Sequence, residues 1–502
     1  MSRMFTLAVT TGLAFAAVPA AADLSASDAW ENYRSSTLGF GALTWSSIDE
    51  SDTSLNIRSA TWMLEEDDVS VTLNMGDLMF TELAGGLVSL SMGETMPLVV
   101  VVQDNSGPVT IIGNILIDAA TTVFSGEPSD ITQSYSVAAL EVAIDEIDSM
   151  ASDATIDAGL VFETLEGVTR LTDTGDGLSD VDFSLSAAST TYSLRAVDPT
   201  EGQLDVTVSI RETVASGQGM LPTGLSAAAP EDFLKNPAVG MSTEFGSAAT
   251  AFSFSASGGD GAAAAEMLAG ASKMAFALTD GSVSYAGTLE DIAVSVEAPD
   301  IPVPVNVGVK RYAYETDLPL LQTDEDRDFT LGLTLEDIAI DDFLWNLFDP
   351  GQVLPRDPAT LSFLVSLQGR WLLDILSPDD QMIDGGVADM PVRVSSADIS
   401  GLELSAAGAE VTGEGSFTFN NDDLFTFEGF PAPTGAMDFR ILGANGLIDK
   451  LVGMGLVPPD QAMGARMMMG LFTIPGAGED ELTSRLEVRG NGQVFANGQR
   501  LR

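Results

Sequence analysis

The sequence predicts a mainly β, β-rich α+β protein with curved, elongated antiparallel sheets and a C-terminal helical hairpin packed on the sheet. Three observations predict it. Short runs that alternate polar and apolar residues, such as VSVTL at 69–73, follow one another with Gly, Asp and Asn between them. The stretch TLEDIA occurs twice, at residues 288–293 and 334–339. Two apolar stripes at helical spacing flank Pro458-Pro459.

The first third of the chain is typical of a helix followed by an antiparallel meander. Residues 28–34 predict a short helix that places Trp30 and Tyr33 on one face, packed against a sheet. Strands are then expected at 57–64, 69–75, 77–83 and 87–92, and again at 181–195 and 203–211.

The repeated TLEDIA stretch predicts a bend in a strand. Before each copy the apolar residues occupy odd positions, and after Glu290-Asp291 and Glu336-Asp337 they occupy even positions. Side chains alternate with a period of two along a strand, so one extra residue at Glu-Asp keeps the apolar face inward while the strand bends. The motif therefore predicts curvature and needs no catalytic explanation.

Residues 213–280 are rich in Ala, Gly and Ser and predict a junction between two β-rich halves, 23–280 and 281–502. Residues 262–277 predict a helix within this junction. Pro299, Pro302 and Pro304 argue against a fully paired central strand at the point where they occur.

The C-terminal region predicts two strands around Gly408, over residues 402–419, and a helical hairpin at 443–472 that is interrupted by Pro458-Pro459. Asn491-Gly492 predicts a hairpin turn between the last two strands. The triplet Met467-Met468-Met469 has two interpretations. Burial between the hairpin and the sheet is favoured, and an adaptable apolar surface for a partner or a lipid is the alternative.

The first 22 residues predict an export signal. Arg3 supplies a positive charge, residues 4–18 are mostly apolar, and the small residues up to Ala22 predict cleavage before Asp23. We therefore expect a periplasmic protein with no transmembrane segment after cleavage. The chain has no cysteine, so a disulfide cannot hold it and its own core must.

Composition excludes several classes of function. The chain has 21 basic and 74 acidic residues, a net charge of −53. Nucleic acid is excluded as an ordinary partner, because binding phosphates needs clustered Lys and Arg. There is no histidine, which excludes imidazole-based hydrolases and, with the missing cysteines, the usual zinc, copper and haem sites.

We therefore predict no catalytic, cofactor-binding or metal-binding residues, no cofactor and no enzyme activity, although carboxylate chemistry is still open. The alternating acids of residues 324–328 resemble the start of a calcium-binding EF-hand loop. Phe329 and Leu335 stand where that loop needs Gly and Glu, so the match fails. The adjacent pair Lys310-Arg311 fits either an anionic headgroup or local charge balance, and charge balance is favoured.

The C-terminal region also carries a resemblance. WNLFDPGQVLPRDP at 345–358, AAGAEVTGEGSFTF at 406–419, residues 443–472 and ANGQRL at 496–501 resemble a family of secreted alphaproteobacterial proteins whose domain has no assigned function. The pairing of residues 401–419 with a terminal NGQRL is similar, more loosely, to the tails of AsmA-like envelope proteins. That likeness implies an elongated β-rich body with an apolar groove, connected with envelope lipid or outer-membrane homeostasis.

Three functions follow as hypotheses. The first is a non-enzymatic periplasmic protein that binds or transfers an apolar ligand, a lipid, in envelope homeostasis. The second is a structural or protein-interaction module of the envelope without a small-molecule ligand. The third is a carboxylate-based glycan hydrolase, with two carboxyl groups in a cleft.

Overall fold

The structure is a computed structural model that describes residues 24–36, 41–66, 68–104, 107–148, 154–222, 236–259, 261–376 and 391–502. The predicted export signal at 1–22 lies outside these residues. Within them the protein is mainly β, with one antiparallel sheet of 27 strands and a C-terminal pair of helices. The predicted fold class is confirmed.

The strands are numbered in chain order. The first eight are β1 (Ala42–Thr44), β2 (Ser47–Glu50), β3 (Ser54–Glu66), β4 (Val69–Leu83), β5 (Leu87–Ser91), β6 (Thr95–Asp104), β7 (Gly107–Asp118) and β8 (Thr121–Glu127). The next nine are β9 (Asp130–Asp148), β10 (Thr155–Asp173), β11 (Leu178–Asp198), β12 (Gly202–Pro222), β13 (Gly240–Ser247), β14 (Ala249–Gly258), β15 (Gly261–Ala269), β16 (Ser272–Thr279) and β17 (Ser282–Glu297).

The last ten strands are β18 (Val305–Pro319), β19 (Arg327–Ile340), β20 (Ala359–Trp371), β21 (Val392–Ala406), β22 (Ala409–Asn420), β23 (Ala432–Leu442), β24 (Ile474–Pro475), β25 (Glu481–Val488), β26 (Val494–Ala496) and β27 (Gln499–Arg500). The helices are α1 (Ala26–Ser36), α2 (Asp342–Phe348), α3 (Ala444–Gly453) and α4 (Pro459–Phe472).

The sheet is a long up-and-down meander. From β9 to β12 and from β17 to β23 each strand pairs with the next strand in the chain. Between these runs, β13 and β14 lie end to end along β12, and β15 and β16 lie end to end along β17. The hydrogen-bonded sheet thus crosses residue 280 without interruption.

The prediction of a helix at 262–277 is wrong, because this segment forms β15 and β16. Every residue from Ala262 to Ala269 is paired with β14, and the neighbouring β16 lies between β13 and β17. Ladder pairing on both sides outweighs the helix propensity of the alanines, which is worth only tenths of a kcal/mol per residue.

The predicted bends at TLEDIA are confirmed. Asp291 and Asp337 have left-handed backbones, with φ of 49° and 53°. The ladder between β19 and β20 shifts register between Leu335 and Ile338. Such a bulge inserts one unpaired residue and bends the strand, which returns the apolar side chains to the same face.

The buried core lies at the N-terminal end. Helix α1 packs on β3 and β4, and its Trp30 and Tyr33, as predicted, face the sheet. The Trp30 and Tyr33 rings lie 5.8 and 6.0 Å from the Phe80 ring. The Ser25 hydroxyl accepts from the Asp28 amide and caps the start of α1. The cluster consists of Leu24, Ala26, Ala29, Trp30, Tyr33, Leu55, Ile57, Ala60, Met75, Leu78, Phe80, Val88, Leu90, Met96, Phe124 and Ile131.

The C-terminal helices form the predicted hairpin. Helix α3 contacts β22. At its first turn the Asp480 carboxylate accepts hydrogen bonds from the Gly446 amide at 2.8 Å and from the Asn445 side chain at 2.8 Å. Burial raises the pKa of Asp480, but these hydrogen bonds outweigh it and hold the pKa below its ordinary value. An ion pair between Arg466 and Asp449, at 2.5 Å, joins α4 to α3.

Candidate functional site

A line of bends crosses the sheet and defines its two faces. Left-handed residues lie inside five long strands at Thr164, Glu212, Asp291, Asp337 and Gly401. Where strands are broken instead, the chain turns at residues 248 and 270–271. We call these positions together the bend line.

Burial shows the direction of the bend. In β12 the bend residues Arg211 and Glu212 are exposed, whereas Thr213, next to them on the other face, is buried. In β11 Ala187 and Thr190 are buried, whereas Ala188 between them is exposed. A bent strand crowds the side chains on the inside of its bend, so at the bend line the strands are concave toward the face that carries Ala187, Thr190 and Thr213.

The concave face is apolar on both sides of the bend line. Register places one continuous row of directly opposed residues on one side: Gly167, Leu185, Ala215, Phe245, Met274, Gly287, Tyr314, Leu333 and Phe363. The matching row on the other side is Leu160, Tyr192, Val208, Phe252, Met267, Val294, Val307 and Ile340. We call this concave apolar surface, from β10 to β23, the apolar trough.

The opposite, convex face is more polar than the trough. Its residues alternate with those of the trough and include Asp182, Ser184, Ser216, Glu244, Ser284 and Glu315. The two faces therefore differ in polarity, although the convex face also exposes the apolar side chains of Val168, Val214 and Leu268.

Aromatic rings lie over glycines in the trough. Tyr135 opposes Gly167, Phe183 opposes Gly217, and Tyr314 opposes Gly287, each on the neighbouring strand. A methyl group added at any of these three glycines would come within 2.3 to 2.6 Å of the opposing ring. The pairs cover the backbone with flat rings and give the trough a smooth apolar surface.

A tyrosine cluster marks the middle of the trough. The Tyr314 ring lies 5.4 Å from Tyr285 and 5.6 Å from Tyr312. Burial, with a smaller effect of the hydrogen bond to Tyr285, raises the pKa of Tyr314 to about 12. These phenols supply hydroxyl groups on an otherwise apolar surface, which suits a ligand with a few polar atoms.

The trough is open to solvent. Among the described residues, extensive contacts of the strands from β10 to β21 are made only with hydrogen-bonded neighbours, and no second layer packs on the trough. Leu331 and Leu404 lie on opposite sides of the bend line and are 56% and 52% exposed. Helix α1 packs on this face at β3 and β4, outside the trough.

Charges follow the bend line on the convex side. Lys310 lies 2.8 Å from Glu336 and 3.5 Å from Asp337. The hydrogen bond to Glu336 raises the pKa of Lys310, and Lys310 lowers the pKa of Glu336. Arg311 opposes Glu290 on one neighbouring strand and Glu336 on the other. For Lys310 this arrangement favours local charge balance over headgroup binding, and the exposed pairs contribute little stability.

A groove of about 970 Å³ crosses the strands from β10 to β20 on one side of the bend line. On nine strands it takes one trough-row residue and the convex-face residues on both sides of it, so the groove opens on the convex face, opposite the trough side chains. About half of these convex-face residues are small, including Ser184, Gly246, Ala275, Ala286 and Gly332. Sequence reasoning missed this groove, because it depends on small residues from many strands lying side by side.

Among the described carboxyl groups whose pKa is shifted, Asp317 alone is shifted upward. Burial, and then the nearby Asp328 carboxylate, raises the pKa of Asp317. Neither residue lines the groove. No group of three or more acidic side chains that would hold a metal ion occurs among the described residues. The hydrolase alternative thus gains a carboxyl pair, and this pair lies outside the groove.

The methionine stripe of α4 is exposed, contrary to the favoured expectation of burial. Met463 and Met467 are 70% and 73% exposed, and Met468 and Leu471 are also exposed. Among the α4 residues only Ala462 is buried. Ala462, which is buried, and Arg466, which pairs with Asp449 of α3, lie away from these methionines on α4, so the stripe is left uncovered.

Comparisons with known proteins give no assignment. No family model matches the chain, and no curated protein matches it. Within the part of the chain that the structure describes, no helix has the length and apolarity needed to span a membrane. The fold and the site define the protein as a mainly β protein with an open apolar trough. The likeness to secreted alphaproteobacterial and AsmA-like proteins stays a prediction.

Proposed function

We propose that the protein binds a lipid or another apolar ligand along the apolar trough, as a non-enzymatic component of the periplasm. The observation that carries this proposal is the trough itself: two apolar rows, each crossing eight or more strands, lie on a concave face that no described layer covers. An apolar surface of this length is costly to leave in water, at roughly 25 cal/mol per Å².

The acidic composition fits the same proposal. The net charge of −53 and the more polar convex face favour solubility in a protein with a large apolar surface. The ligand class is set by shape: an open trough with flat rings on its surface suits extended acyl chains, and the Tyr285, Tyr312 and Tyr314 hydroxyls suit ester or hydroxyl groups.

The experiment is native mass spectrometry of the full mature chain purified from a periplasmic extract, with organic extraction of bound material. We expect a reproducible, stoichiometric lipid. A clean mass of the ligand-free protein, unchanged after incubation with envelope phospholipids, would contradict the proposal.

Matched variants place the ligand. The double variant Leu331→Gln and Leu404→Gln makes the trough polar at two exposed positions. We expect its affinity for an acyl-chain probe to fall by about tenfold or more. Met79→Gln with Leu268→Gln is the control, because both side chains are exposed on the convex face. Equal effects of the two double variants would show that binding is not in the trough.

A further inference from the structure

Exposed apolar side chains gather along one rim of the sheet. In an antiparallel meander the ends of β19, β21 and β23 lie at the same rim, together with the starts of β20 and β22. Helix α2 follows β19 at this rim, and the α3–α4 hairpin follows β23. The exposed apolar residues there are Leu347, Phe348, Val353, Met463, Met467, Met468 and Leu471, which we call the apolar rim.

Contacts join the two parts of the rim. Pro355, in the segment after α2, packs so closely on Gly408 that a Cβ at Gly408 would lie 2.9 Å from its ring. Gly443, at the start of α3, lies against the Gly408 carbonyl in the same way. The β21–β22 turn therefore holds α2 and the hairpin beside each other.

The hairpin differs in charge from the rest of the protein. Residues 443–472 contain two acidic residues, Asp449 and Asp460, and two basic residues, Lys450 and Arg466, a net charge of zero in a chain of net charge −53. Arg466 and Asp449 neutralise each other directly. A strongly acidic protein approaches a lipid surface with least repulsion through such a neutral region.

The exposed apolar residues of α4 form one stripe along the helix. Met463, Met467 and Leu471 follow one another at four-residue spacing on one face of α4, with Met468 beside them. Flexible thioethers adapt to a disordered apolar environment. Helix α3 contacts β22, one of the last strands of the trough, and α4 packs on α3, so an acyl chain leaving the trough at this rim comes close to α4.

We propose that the apolar rim docks onto the surface of a zwitterionic phospholipid bilayer, with α4 lying in the interface, so that the trough opens toward the membrane. This inference rests on the proposed lipid-binding function and adds the surface at which the lipid is exchanged. The acidic body stays on the water side.

The test is flotation of the full mature chain with vesicles of phosphatidylcholine and phosphatidylethanolamine. We expect Met467→Gln with Met468→Gln to lower vesicle partitioning by about tenfold or more. The control, Met79→Gln with Leu268→Gln, should float as the unmodified protein does. Adding phosphatidylglycerol should weaken binding at low salt and less so at high salt, because the acidic body is repelled.

The absence of cysteine allows a second readout that does not depend on partitioning alone. A polarity-sensitive dye on Met467→Cys should shift to the blue when vesicles are added, whereas the same dye on Leu268→Cys should not. Flotation that persists in the methionine variant, or equal dye shifts at the two positions, would overturn the docking proposal.

Two further measurements separate the outcomes. Sedimentation velocity detects self-association: a dimer that the methionine variant abolishes, without flotation of either protein, would make the rim an interface between copies and refute membrane docking. Organic extraction of the same preparations reports trough occupancy. Flotation without bound lipid supports docking and counts against the proposed lipid-binding function. Bound lipid without flotation supports the lipid-binding function and counts against docking.

Discussion

Asp291 and Asp337 occupy equivalent positions in the two strands that flank β18. Both hold left-handed backbones, and both precede the first apolar residue of the shifted phase, Ile292 and Ile338. Arg311 lies opposite the glutamate that precedes each of them. The two copies of TLEDIA are thus the same bend, placed on either side of one shared strand.

The backbone at Asp291 predicts opposite effects of two substitutions. Asp291→Gly should be neutral or stabilising by up to about 1 kcal/mol, because glycine adopts a positive φ without strain. Asp291→Val should cost about 1–3 kcal/mol, because a β-branched side chain is disfavoured there. Denaturant titration of the two variants measures the difference, and equal stabilities would refute the bend assignment.

The ring over Gly287 predicts a position-specific effect of alanine. In Gly287→Ala the new methyl group meets the Tyr314 ring at 2.6 Å, and Tyr285 and Tyr312 restrict the movement of that ring. We expect a loss of about 1–3 kcal/mol. Gly308→Ala is the control, since its nearest contact is 3.8 Å away. A control as destabilised as Gly287→Ala would show that the ring does not matter.

From the buried phenol of Tyr33 we expect the folded protein to lose stability at high pH. Burial raises the pKa of Tyr33 to about 12 from an ordinary 10.0. The folded state therefore binds the phenolic proton more tightly than the unfolded state. The resulting stabilisation, about 2–3 kcal/mol, is complete below pH 10 and is lost as the pH rises toward 12.

Unfolding free energies measured between about pH 9 and 12 check this sign, with phenolate absorbance as the reporter of titration. Tyr33→Phe removes the group that titrates and keeps the ring that packs on Phe80. The variant should lose less stability than the unmodified protein over this range. The same slope in both proteins would rule out Tyr33 as the cause.

From the buried carboxylate of Asp349 we expect the loop after α2 to lose stability at acidic pH. Its carboxylate is 1% exposed and accepts from the Val353 amide at 2.9 Å and the Leu354 amide at 2.8 Å. Burial alone raises the pKa of Asp349, but these hydrogen bonds and Arg356 hold it below its ordinary value. The stabilisation is present above the unfolded-state pKa and is lost as the pH falls through the folded-state pKa.

Amide hydrogen exchange in residues 350–358 measures the effect. Asp349→Ala should speed exchange of the Val353 and Leu354 amides by about tenfold or more at neutral pH, because both lose their acceptor. Asp357→Ala is a nearby control without these contacts. Unchanged protection at Val353 and Leu354 would mean that the carboxylate does not hold the loop.

Much of the architecture could be predicted because local patterns agree with the final sheet. The alternation in β4 and β12 and the helical spacing in α3 and α4 each persist over a long enough segment to define its periodicity. Residues 262–277 failed because alanine-rich sequence carries no periodicity of its own, and only pairing with β14 and β17 makes it a strand. The exposure of Met467 was missed for a related reason, since periodicity defines a stripe but not what covers it.

The sequence by itself determined the fold class, the lack of histidine and cysteine, the net charge and the positions of the two TLEDIA bends. These depend on residue identity and on a period of two along the strand, which are local properties. Only the tertiary structure decided that the bends of neighbouring strands align into one line. The alignment makes a single open trough, because register between strands far apart in sequence sets which side chains share a face.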